Sequence, residues 1–298
     1  MAQRNTQPVP QPFVEAIERF IRVQEGRNRS PQTLRAYRSD LAQLAGWLYA
    51  DNPYLTDPVD VTTDDLNEFL AELAHRGLSG VSRARKLAAI REFYRWLTNS
   101  GAIAHSPVDA VDTPKRERKS RTYLTPEEYN RLLAAAGAHP RDFCILTLFI
   151  QSGIRISELC ELRLHDIDLD AGTLTVRVGK GMAARTIELE KKGMRASKTW
   201  LSMRPSTYYD HLFLNRDEEP LKEWGVRDLL HKYCVQAGIT KRVTPHSLRH
   251  TFASAKAQSG VSPFQLKEWL GHARLDTTSI YVHMAKQSAK KVMEATSL

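Results

Sequence analysis

Cysteine is scarce in this chain: Cys144, Cys160 and Cys234 are the only three in 298 residues. An odd, widely spaced trio offers neither a disulfide framework nor the ligand spacing of a zinc site, so buried thiols are expected. Long apolar runs are missing too, and no segment reaches the length of a membrane span. The start, MAQRNTQPVPQP, is polar and proline-rich rather than a signal peptide. A cytoplasmic location without a membrane partner is the expectation. There is no phosphate-binding glycine loop, no cluster of carboxylates, no internal repeat and no low-complexity tract. Acid is the remaining deficit: 34 Asp+Glu face 43 Lys+Arg, a formal net charge of +9. That balance favours an acidic partner, and nucleic acid is the commonest one.

What is present begins with helices that have marked starts. A first helix carries Phe13, Ile17 and Ile21. Ser30-Pro31 is a cap followed by proline at the first helical position, and Leu34, Tyr37, Leu41, Leu44 and Leu48 then recur at helical spacing. Leu66, Phe69, Leu70 and Leu73 form another stripe after the Thr62-Thr63 cap. A further helix begins near Ser82, with Leu87, Ile90, Tyr94 and Leu97 on one face. Together these predict a four-helix N-terminal domain over residues 9–112. The last helix also bears Arg83, Arg85, Lys86, Arg91 and Arg95, the arrangement expected of a helix lying against a phosphate backbone, although a solvated face explains it as well.

The stretch DTPKRERKSRT (112–122) has no apolar periodicity and crowds Lys115, Arg116, Arg118, Lys119 and Arg121 against Glu117 alone. It reads as an exposed basic linker, residues 113–122, that tracks a polyanion. A second domain, residues 123–298, opens at Thr125 with a capping box closed by Glu128. A buried helix from Phe143 to Ile150 ends at Gly153. The period then changes to two: Leu174, Val176 and Val178, then Ile187 and Leu189, alternate with polar residues and predict a β-hairpin. Its tip, Gly179-Lys180-Gly181, leaves Lys180 on an uncrowded turn from which a long amine can reach into a cleft. The remainder reads as helices to Leu298. The predicted fold class is mostly α with a small β-hairpin or sheet (α+β).

The run from Thr244 to Tyr281 carries the chemistry. His246 and Arg249, three apart after the Thr244-Pro245 start, project from one helical face and can share one phosphate. An isolated H-x-x-R is common by chance, and His250 points elsewhere on that helix. Ser262-Pro263 starts another helix, with Leu266, Trp269 and Leu270 on its apolar side. Gly271 ends it, placing His272 at a helix terminus. Tyr281 follows on a short segment able to approach the same cleft, although in isolation a tyrosine there is more often core. Arginine offers a planar fork for non-bridging phosphate oxygens, histidine moves protons near neutral pH, and a tyrosine hydroxyl can attack phosphorus.

Four segments, GIRISEL (153–159), GKG (179–181), HSLRHTFA (246–253) and LGH with IYVH (270–283), in this order and spacing, resemble the signature motifs of the tyrosine recombinase, or phage integrase, family, particularly its compact Xer-like members. TLRAYRSDL (33–41) and the Ser82 helix resemble that family's N-terminal core-binding domain. The resemblance implies a catalytic set of Arg155, Lys180, His246, Arg249, His272 and Tyr281, with Glu158 as a supporting acid. It further implies that Tyr281 attacks the scissile phosphate to give a 3′-phosphotyrosyl enzyme and a free 5′-hydroxyl. In that scheme His246 assists proton removal, Lys180 protonates the leaving oxygen, His272 donates to the phosphate, and the arginines neutralise its charge.

Because the covalent ester keeps the energy of the broken bond, rejoining on this scheme needs neither ATP nor a metal, and no cofactor is expected. The implied partner is double-stranded DNA with a specific recombination site, bound by a homotetramer, or by a heterotetramer with a second recombinase, that exchanges strands through a Holliday junction. After Tyr281, Met284, Ser288, Val292 and Ala295 line one side of a short helix suited to docking on a neighbour or on its own domain. Two alternatives stay open: relaxation of supercoils in the manner of a type IB topoisomerase, and a DNA-binding accessory protein that does not cleave.

Overall fold

The computed structural model describes residues 8–115, 122–178 and 182–271. The chain divides into two compact units, 1–119 and 120–298. The first contains α1 (Gln11–Gly26), α2 (Pro31–Asp51), α3 (Thr63–His75) and α4 (Gly80–Asn99), with a 3-10 turn at Pro58–Asp60. The local signals act as read. Ser30 Oγ accepts the Thr33 amide at 3.1 Å, and Thr62 and Asp65 close a reciprocal capping box, so the first-turn donors of α2 and α3 find partners. Proline supplies the first helical residue of α2 at no hydrogen-bond cost.

The apolar stripes of the four helices meet in one core. Phe13, Phe20, Leu41, Leu44, Phe69, Phe93 and Tyr94 are almost wholly buried, and the Phe20 and Phe93 rings meet edge to face at 5.5 Å. Tyr94 buries its hydroxyl by donating to the Pro58 carbonyl at 3.1 Å. A buried ion pair also lies within this unit. Asp40 is 2% exposed and is held by Arg85 and, at 2.8 Å, by the Lys86 ammonium.

The second unit contains α5 (Pro126–Ala136), α6 (Pro140–Ser152), α7 (Ile156–Glu161), β1 (Ile167–Asp168), β2 (Thr173–Val178), β3 (Met182–Glu188), α8 (Lys191–Met203), α9 (Glu223–Gln236), α10 (Pro245–Gln258) and α11 (Pro263–Leu270). The three strands form an antiparallel sheet in the order β1-β2-β3. The hairpin is thus joined by a two-residue strand that sequence periodicity did not reveal. Leu174 pairs with Ile187 and Val176 with Arg185, so the buried face of the hairpin carries three apolar side chains and one arginine.

Helix α6 is the central element of this unit. Cys144, Ile145, Leu146, Leu148 and Phe149 are all buried, and α6 packs against α5, α8 and α10. Gly153 ends α6 in the left-handed conformation, φ 58°, and a Cβ there would lie 2.4 Å from the Phe252 ring of α10. Only glycine lets the chain turn at that point towards Arg155. The three cysteines are buried and free, and among the described residues no helix is long and apolar enough to cross a membrane.

Candidate active site

Arg155 is the cap residue of α7. Its backbone amide donates to Glu158 Oε2 at 2.7 Å, the carboxylate-to-amide half of a capping box. Its guanidinium gives Nη1–H to Glu158 Oε1 at 2.7 Å and Nη2–H to the Gly271 carbonyl at 2.8 Å. The side chain keeps 38% of its surface exposed, so the fork lies at the border of the unit and not inside it.

Arg249, on the second turn of α10, is 3% exposed. It donates to the Gly153 carbonyl at 2.7 Å and to the Leu270 carbonyl. Arg185, from β3, donates Nε–H to the Trp269 carbonyl at 2.7 Å. Three arginines from three elements therefore take three consecutive carbonyls, those of Trp269, Leu270 and Gly271, where α11 ends. The last carbonyls of a helix have no intrahelical donor and form the negative end of its dipole, so cations are favoured there. Gly271 makes the convergence possible. It is left-handed at φ 59°, and a Cβ would stand 3.0 Å from Arg185 Nη1 and 3.6 Å from Arg155 Nη1.

The Glu158 carboxylate bonds both Arg155 and Arg185, and it is 8% exposed. Burial works to raise its pKa. The bonds from Arg185, the Arg155 amide and the Arg155 side chain outweigh that and hold the carboxyl at about 2. It is a charged counter-ion throughout the physiological range and no proton donor.

His246 sits exposed on the first turn of α10, behind a Thr244–Ser247 capping box. The pair three apart thus divides its labour: Arg249 turns into the unit and His246 stays at its surface. The His250 ring does not point away as expected. It lies edge-on to His246, centroids 4.4 Å apart, and so helps to set that ring's orientation. Lys180, His272 and Tyr281 lie outside the described residues, as do Met284, Ser288, Val292 and Ala295.

Arg185 was not foreseen, yet a signal existed. Extending the inward phase of Ile187 and Leu189 back by two residues reaches Arg185, a charge where an apolar side chain belongs. Among the basic residues expected on a DNA-facing stripe, Lys86 needs correction: it is 9% exposed and bonded to buried Asp40, an internal counter-ion instead of a surface contact. Arg85 also grips Asp40 while its own side chain stays half exposed. Arg91 ties α4 to the Val111 carbonyl and the Thr113 hydroxyl, both at 2.7 Å. Arg83 is half-buried with Nε enclosed, and Lys115 is exposed. Arg116, Arg118, Lys119 and Arg121 lie outside the described residues. No group of His, Cys, Asp and Glu suited to a metal ion occurs among the described residues.

Comparison with known proteins gives a consistent picture. Residues 122–288 match the model of the phage integrase family, and residues 17–101 match that of the phage integrase N-terminal SAM-like domain. A protein described as tyrosine recombinase XerC from Xanthomonas campestris pv. campestris is 36% identical over 294 residues, covering 97% of this chain and 90% of the relative. A tyrosine recombinase XerC from Pelobacter propionicus is 34% identical, with 95% of each covered. Among solved structures, the Tn1549 transposon integrase in complex with a circular intermediate DNA aligns at a TM-score of 0.77 and 20% identity over 94% of this chain and 99% of that one. The XerA recombinase aligns at 0.54 and 26% identity, over 94% and 98%.

Proposed function

From the premise that the chain belongs to the phage integrase family of tyrosine recombinases, which break and rejoin DNA, we propose that its site forms a 3′-phosphotyrosyl bond through Tyr281 and recombines two duplexes at a specific sequence. The observation that carries the proposal is the convergence of Arg155 and Arg249 on the end of α11, the residue before His272. Two guanidiniums held by carbonyls and one carboxylate are preorganised cations. They are suited to the charge that spreads over the non-bridging oxygens as phosphorus becomes pentacovalent.

Each remaining group has a role that its chemistry fits. Tyr281 attacks phosphorus, and His246, exposed and steadied by His250, assists removal of the phenolic proton. Lys180 protonates the leaving 5′-oxygen, and His272 donates a hydrogen bond to the phosphate. Glu158 keeps Arg155 oriented. The ester conserves the energy of the broken bond, so resealing by the 5′-hydroxyl proceeds without ATP and without a metal. The partner is duplex DNA, engaged by both units, with four protomers acting on two sites through a Holliday junction. Arg83, Arg85, Lys115, Arg116, Arg118, Lys119 and Arg121 contribute salt-sensitive phosphate contacts. Cytoplasmic action follows from that substrate.

The discriminating experiment offers the protein two distinguishable duplexes carrying the sequence it enriches from a random duplex pool. Joined recombinant strands are expected. Relaxation of a supercoiled plasmid lacking that sequence, with no joining between duplexes, would identify a topoisomerase instead.

A further inference from the structure

Strand β3 carries an anomaly of phase. Opposed residues of an antiparallel pair share a face, and the face shared by Leu174, Ile187 and Val176 is the buried one. The fourth member of that set is Arg185, 8% exposed. A buried guanidinium needs partners for its charge and its donors. Arg185 has them: Nη1 and Nη2 bond the two oxygens of Glu158 at 3.1 and 2.7 Å, and Nε bonds the Trp269 carbonyl. These bonds join three elements adjacent in sequence to separate members of the catalytic set. β3 begins after Lys180 in the sequence, α7 follows Arg155, and α11 precedes His272.

The geometry also shows what Arg185 prevents. Glu158 Oε1 is shared between Arg155 Nη1 and Arg185 Nη1, while Oε2 takes the Arg155 amide and Arg185 Nη2. The Arg155 side chain therefore meets the carboxylate with one arm and reaches the Gly271 carbonyl with the other. Were Arg185 absent, Oε1 would keep only Arg155 Nη1 and Oε2 only the Arg155 amide, leaving Oε2 room for a second arm of the Arg155 side chain. The planar two-bond pairing that arginine and carboxylate prefer would then draw its fork towards Glu158 and away from Gly271.

We propose that Arg185 is a positioning residue for strand cleavage: by occupying Glu158 and the Trp269 carbonyl, it holds Arg155 in the one-armed pose that leaves the guanidinium presented to the scissile phosphate. The inference rests on the phosphotyrosyl reading above. Arg185 itself touches no substrate and acts through Arg155.

The test uses the full-length protein and a nicked duplex bearing the enriched sequence, with the scissile linkage either a phosphodiester or a neutral methylphosphonate. Arginine neutralisation matters for the first and little for the second. Arg185→Lys keeps the charge but lacks the fork, and Arg185→Ala removes both. A misplacement of about 1 Å can cost roughly 100-fold, so covalent adduct formation on the phosphodiester should slow by about that factor in both variants. Relative to wild type, the slowing on the methylphosphonate should be far smaller. Equal slowing on both linkages, or none on either, overturns the proposal. Should Arg185→Ala fail to fold, the lysine variant decides. In an Arg155→Ala background, Arg185→Lys should add less than about threefold, because residues acting in series are non-additive; a full multiplicative loss overturns it. Failure of the underlying reading looks different, since wild-type protein would then form no adduct with the phosphodiester duplex.

Discussion

Replacing Glu158 by glutamine probes the electrostatic keystone of the second unit. Glu158 accepts four hydrogen bonds, at 2.7 Å from the Arg155 amide, 2.7 Å from Arg155 Nη1, and 3.1 and 2.7 Å from Arg185. Glutamine has nearly the same shape, but one oxygen becomes an amide that points donors at donors, and Arg185 is left buried without a counter-ion. Breaking a buried pair from one side costs about 3–5 kcal/mol. For a unit of this size that corresponds to a fall of roughly 6–20 °C in its unfolding midpoint. Thermal and urea unfolding at pH 7, followed by circular dichroism, measure it.

The pH dependence supplies a second signature. The folded carboxyl titrates at about 2 against an ordinary 4.5, so between those values the unfolded chain binds the extra proton. The contribution of Glu158 is fully present above pH 4.5 and is lost as pH falls through 2. Wild-type protein should therefore lose this increment of stability across that window, and Glu158→Gln should not. A pH 7 difference below about 1 kcal/mol, the value of an exposed ion pair, would refute the reasoning.

Three further outcomes follow from the same geometry. Gly271→Ala places a Cβ 3.0 Å from Arg185 Nη1 at a left-handed φ of 59°; beyond about 1–2 kcal/mol of backbone strain, single-turnover cleavage should fall by roughly 10–100-fold as the arginines shift. Asp40→Ala strips buried Lys86 of its partner and should lower the unfolding midpoint of the first unit while leaving the second unit's transition in place, as read by calorimetry of the whole chain. Lys180→Ala should cut slowly on an ordinary duplex and regain its rate when the leaving 5′-oxygen is replaced by sulfur, which departs without protonation; absence of rescue assigns the proton to another donor.

What the sequence made legible was local. The starts of α2, α3, α5 and α10 rest on Ser30, Thr62, Thr125 and Thr244, whose partners lie within three residues. Period and punctuation therefore suffice for them. Arg155 and Glu158 were reached only through family motifs and Arg249 by its helical spacing from His246, whereas the carbonyls that Arg155 and Arg249 take, those of Gly271, Leu270 and Gly153, stand 21 to 116 positions away and have no local signal. Lys86 illustrates the limit: nothing near it in the chain announces Asp40, 46 residues earlier, so a buried ion pair was read as surface charge. β1 escaped notice because two residues have no periodicity and become a strand only by pairing with β2. Arg185 was readable from strand phase, but its purpose required the Glu158 and Trp269 partners supplied by the fold.

The most direct measurement of the central claim is covalent capture. Wild-type protein and Tyr281→Phe are incubated with a nicked duplex carrying the enriched sequence, so that the short strand diffuses away after cleavage, and the adduct is mapped by peptide mass. The account predicts a 3′-phosphodiester linked to Tyr281 in the wild-type protein and no adduct in the variant. An adduct that persists in Tyr281→Phe, or one mapped to another residue, would contradict it.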